Sequence, residues 1–125
     1  MRILIIAALV ATSLTGCTRW YMNSHLNDAY RAYDKGDCET VMLRLSQVER
    51  ESRTRPYVLP EVSLLRGQCL ERQQLFVDAA QTYSFIITQY PYSEYAYRAR
   101  ARLDTLQQGG HIHEGAPAQT FPAPR

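Results

Sequence analysis

The chain has 125 residues, 14 Lys and Arg against 12 Asp and Glu, and a formal charge of +2. That length allows one small domain. A balance so near neutrality, with no concentrated basic face, argues against a nucleic-acid binder. Lys35 is the only lysine, so almost all the positive charge is arginine, a side chain suited to paired contacts with carboxylates.

Met1 and Arg2 make a short positive start, and residues 3–14 (ILIIAALVATSL) follow as an apolar run without charge. The run has the length of a signal-peptide core and is too short for a spanning helix. Leu14, Thr15 and Gly16 then stand directly before Cys17. This arrangement resembles the bacterial lipobox. The resemblance implies a signal peptide over 1–16, a diacylglycerol on the Cys17 thiol, cleavage before Cys17 and often a further acyl chain, such as palmitate, on the new amine. Several acyl chains make a firm anchor, since each buried CH₂ contributes ~0.8 kcal/mol. Thr18 stands where an aspartate would signal retention in the inner membrane. By the same resemblance that implies the outer membrane, periplasmic face. Residues 17–22 form a lipidated tether, in which Trp20 and Tyr21 either enter the membrane interface or cap the first helix.

Residues 23–108 read as helical. Leu26, Ala29, Tyr30 and Tyr33 fall at helix spacing, and Gly36-Asp37 breaks the run. Asp37 is a good N-cap for a second helix marked by Val41, Leu45 and Val48. Two prolines in 53–60 (RTRPYVLP) predict a loop. Val62, Leu65, Cys69 and Leu70 mark a third helix, and Phe76, Ala79, Ala80, Tyr83, Ile86 and Ile87 a fourth, which Tyr90-Pro91 stops. Ser93 caps a fifth, with Ala96, Ala99, Leu103 and Leu106 on one face, ended by Gly109-Gly110. The tail 109–125 is rich in Gly, Pro and Ala, lacks periodicity and is expected to be disordered. With Cys17 used for lipid, Cys38 and Cys69 remain as an even pair in an oxidising compartment. They are expected either to form a disulfide or to lie as two small buried apolar side chains.

Gly67, Ala79, Tyr83 and Pro91 share the spacing of the tetratricopeptide repeat (TPR). There a small residue and an alanine let two helices approach, an aromatic fills the space between them and a proline ends the second helix. The run QYPYSEYAYRARARL resembles the YP-x-S-x-x-A-x-x-A stretch of bacterial outer-membrane TPR lipoproteins. That group includes the TPR lipoprotein of the β-barrel assembly machinery and TPR proteins associated with the Tol-Pal system. The first pair fits more loosely, with Ala29, Val41 and Leu45 in the corresponding places. The resemblance implies an all-α fold: a short TPR-like α-solenoid of two helix pairs plus a C-terminal capping helix. It also implies that the start of the second helix, at Cys38, meets the end of the third, at Cys69. A bond there would close a loop of roughly 30 residues and contribute about 3–4 kcal/mol by the loop-entropy model.

No catalytic constellation emerges, and the chain is not expected to be an enzyme. His111 and His113 make a fragment of a metal site in a Gly-rich tail, short of the organised ligands that zinc needs. No serine or cysteine has a histidine placed for nucleophilic catalysis, and no Gly-rich phosphate loop occurs. No metal or cofactor is therefore expected. TPR domains bind peptides and protein surfaces along a groove lined by the first helix of each pair. Carried over, the groove positions are Tyr30 and Tyr33, then Leu64, Gln68 and Glu71, then Tyr95, Arg98 and Arg102. The leading expectation is a membrane-anchored periplasmic adaptor that binds envelope protein partners in an assembly, secretion or export complex. The alternative is a structural lipoprotein docked permanently in a large envelope complex, without client binding.

Overall fold

The computed structural model describes residues 2–113, and every described element is helical, with no strand among them. Helix α1 (Arg2–Asp34) is followed by α2 (Cys38–Glu51), a 3₁₀ turn at Pro56–Val58, α3 (Leu59–Arg72), α4 (Phe76–Gln89) and α5 (Glu94–Gln108). The all-α expectation is met in helix number and order. The chain divides into two compact units, Met1–Pro56 and Tyr57–Arg125. Among the described residues no helix is long and apolar enough to cross a membrane.

The first unit is a helical hairpin of α1 and α2. Its buried side chains include Met22, Ala29, Ala32, Val41, Leu45 and Val48, spaced as one face of each helix. Gly36 turns the chain with φ +78°, a left-handed conformation that glycine adopts without cost. The Asp37 carboxylate then accepts from the Thr40 amide at 3.0 Å and caps α2. Hydrogen bonds from the Thr40 side chain and then from its amide hold the Asp37 carboxyl below its ordinary range. At the far end His25 Nε2 lies 3.6 Å from Glu51 Oε1. Helix α1 runs unbroken from Arg2 through Cys17, so helical structure begins well before residue 23.

In the second unit α3 packs on α4, α4 on α5, and α5 also reaches α3. Leu64, Ala79, Tyr83, Ile86, Ala96, Ala99 and Leu106 form its buried cluster. The 53–60 segment differs from expectation. Pro60 belongs to the first turn of α3, where the amide that proline lacks would have had no helical partner. Ser93 caps α5 as expected, its hydroxyl accepting from the Ala96 amide at 3.1 Å. The chain does not leave the fold at Gly109. His111 stacks on Phe76 with ring centroids 4.0 Å apart, and Ile112 packs against the cluster. The remainder of the tail lies outside the described residues.

Candidate functional site

The site is built on the close approach of α3 and α4. A Cβ placed on Gly67 would fall 2.5 Å from Cε1 of Tyr83. Only a residue without a side chain lets that ring come so close to α3. Ala79 on α4 is fully buried, as the approach requires. Anchored there, the Tyr83 phenol reaches one helical turn along α3 and donates to Glu71 Oε1 at 2.6 Å. Arg102 arrives from α5. Its Nε donates to the same oxygen at 3.0 Å, and its terminal amino group donates to Glu71 Oε2. One carboxylate thus ties three helices together.

The electrostatics follow from that geometry. Burial pushes the Glu71 carboxyl up, but the hydrogen bonds from Arg102 and Tyr83 and the charges of Arg102 and His111 together outweigh it, so Glu71 titrates below its ordinary range. The Tyr83 phenol is pushed up, first by burial and then by its bond to Glu71. The Arg102 guanidinium is held charged chiefly by its hydrogen bond to Glu71. The triad is therefore a clamp in which no member exchanges a proton near neutrality. Near the start of α5, burial and then the charges of Glu61 and Glu94 raise the Tyr95 phenol, which also bonds to Glu61.

The structure separates the predicted groove residues into two kinds. Glu71 and Arg102 are brought together, but as an internal pair with each other. Leu64 is 4% exposed and belongs to the core cluster, so it is a packing residue and not a surface contact. Tyr95 is half-buried and turned to Glu61, and Gln68 is half-buried. Arg98 is exposed, next to Tyr97 at 75% exposure. Tyr30 and Tyr33 lie on α1 of the first unit, exposed and half-buried respectively. Cys17 is exposed and is the free cysteine among the described residues, whereas Cys38 and Cys69 are buried and disulfide-bonded.

Sequence reasoning missed the clamp. Its signal was present, since Glu71 stands four residues after Gly67 and so on the same face of α3, within reach of an aromatic ring seated on that glycine. The ordering of His111 was also missed. No group of three His, Cys, Asp or Glu side chains placed to hold a metal occurs among the described residues. Comparison with protein-family models, with curated proteins and with solved structures returns no match.

Proposed function

We propose that this chain is a lipoprotein anchored through Cys17 on the periplasmic face of the outer membrane, where it acts as a small TPR-like adaptor for envelope protein partners. The observation that carries the reading is Leu14-Thr15-Gly16-Cys17 at the end of an uncharged apolar run. The exposed, unpaired state of Cys17 supports it. The Gly67–Tyr83 approach and the buried Ala79 support the TPR-like reading. Recognition falls to the exposed positions, Arg98 with Tyr97 on α5 and Tyr30 on α1. Tyrosine and arginine bury large area and offer hydrogen bonds at protein contacts. Glu71, Arg102 and Leu64 hold the shape of the second unit, which carries Arg98 and Tyr97.

The test is a mild-detergent pull-down of the chain from envelopes, with Cys17→Ala and Arg98→Ala in parallel. A fixed set of envelope proteins captured by the parent, lost with Cys17→Ala and weakened several-fold by Arg98→Ala at unchanged helicity, is the expected result. Equal capture by all three chains, or recovery of the parent in the soluble fraction, overturns the reading.

A further inference from the structure

Cys17, Trp20 and Tyr21 are spaced i, i+3 and i+4 along the unbroken helix α1, so they share one helix face. All three are exposed, Trp20 at 68% and Tyr21 at 54%. The next residue, Met22, is 3% exposed and marks the opposite, packed side of the helix. The two rings contact each other edge to face, with centroids 5.4 Å apart. Two large aromatic side chains are thus held in water-facing positions beside the cysteine, Tyr21 with its ring also 6.5 Å from that of His25.

From this juxtaposition we infer that Trp20 and Tyr21 form an interfacial collar that seats α1 in the headgroup layer of the membrane carrying the Cys17 lipid. The inference rests on the lipid-anchor reading and adds the surface that α1 presents to the bilayer. The distances fit. Three to four helical residues rise about 4.5–6 Å from Cys17. Each polar interface of a bilayer is roughly 5–8 Å deep, half the difference between its full and its hydrocarbon thickness. Acyl chains on Cys17 place that residue at the hydrocarbon boundary, which puts both rings within the headgroup layer. Tryptophan and tyrosine favour that layer because each has an apolar body and a polar tip. The acyl chains alone fix a point. The collar adds a second contact on the same face and so restrains how α1 leaves the membrane.

Trp20 is the chain's only tryptophan, so its fluorescence reports this position alone. The lipidated protein, its lipid verified by intact mass, is placed in vesicles of phosphatidylethanolamine and phosphatidylglycerol. A matched set carries bromine near the top or near the end of the acyl chains. The expected result is a blue-shifted emission, several-fold less quenching by iodide than in the delipidated chain, and stronger quenching by the shallow bromines than by the deep ones. A Trp20→Phe/Tyr21→Trp variant is expected to give the same depth profile. Lipidated protein whose emission and iodide quenching match those of the delipidated chain overturns the collar and leaves the anchor standing. A mature mass without lipid overturns both.

Discussion

Glu71 is the residue whose surroundings make the sharpest demands. Its side chain is 10% exposed and takes three hydrogen bonds from two partners, while that of Arg102 stays 42% exposed. An amide in place of the carboxylate still accepts from the phenol, but it loses the charge and one acceptor, and the guanidinium can rehydrate. Glu71→Gln is therefore expected to cost toward the low end of the roughly 1.5–3 kcal/mol typical of a charged hydrogen bond, read as a lower urea midpoint. Tyr83→Phe keeps the ring over Gly67 and loses one bond. The two substitutions together should cost less than their sum, because both act on the same contact, one weakening and the other removing it. The pH dependence has a defined sign. A carboxyl lowered on folding contributes stability that is present above its unfolded value of about 4.5 and is lost as pH falls through the folded value. The gap between the parent and Glu71→Gln should be full at pH 7 and shrink as the pH drops below about 4.5. A gap constant from pH 7 to pH 3 would show that the carboxylate is not the stabilising form. Gly67→Ala acts on the same site sterically. Its methyl group would meet a buried ring at 2.5 Å, and the expected loss is about 1–3 kcal/mol.

At the scale of the element, three helices end in the same way. After α1, the amides of Gly36 and Asp37 donate to Tyr33 and Ala32. After α3, those of Gln74 and Leu75 donate to Glu71 and Leu70. After α5, those of Gly110 and His111 donate to Gln107 and Leu106. Each is the paired turn-back that closes a helix through one left-handed residue. That residue is Gly36 at φ 78°, Gln74 at φ 62° and Gly110 at φ 71°. Gly36 and Gln74 also stand at the same interval as Ala29 and Gly67, so the repeat extends to the caps. The sequence announced two of these turns because glycine marks them. The third was legible only as a gap in periodicity, since glutamine carries no signal for a positive φ. Pro60 was misread for a related reason. A proline ends most helices but is tolerated in a first turn, and only the position of the preceding turn decides which. The Gly67–Ala79–Tyr83 approach was legible because steric fit between two helices leaves a size pattern. Of the clamp only the shared face of Gly67 and Glu71 was legible, because Glu71 and Arg102 are as suited to a surface as to each other. The cap comparison yields a prediction of opposite signs. Gln74→Gly relieves a left-handed strain of about 1–2 kcal/mol, partly offset by the freedom glycine gains when unfolded. It should raise stability by about 0.5–1 kcal/mol. Gly36→Ala, at the equivalent place, should lower stability by about 1 kcal/mol. Urea titrations of both variants against the parent decide it, and a Gln74→Gly chain no more stable than the parent would place the strain elsewhere.

For the whole molecule, the deciding feature is the oxidised state of Cys38 and Cys69. Each compact unit is short, and chains of that size bury too little apolar surface to be very stable alone. A cross-link that closes a loop of roughly 30 residues restricts the unfolded chain and contributes about 3–4 kcal/mol by the loop-entropy model, a large part of what a small domain holds in total. Reduction should therefore move the urea midpoint down by an amount matching that contribution. A Cys38→Ala/Cys69→Ala chain should unfold near the reduced parent and ignore the reductant. Equal midpoints for the oxidised and reduced parent would mean that packing alone carries the fold. The result also bears on where the chain works. Reducing cytosol keeps thiols apart, and an oxidising envelope lets the bond form and persist. A fold that loses several kcal/mol on reduction reaches its full stability only after export, as the proposed periplasmic anchor at Cys17 requires. On the proposed reading the lipid holds α1 to the membrane, and the disulfide, clamp and caps stabilise the small helical units, the second of which carries the exposed Arg98 and Tyr97.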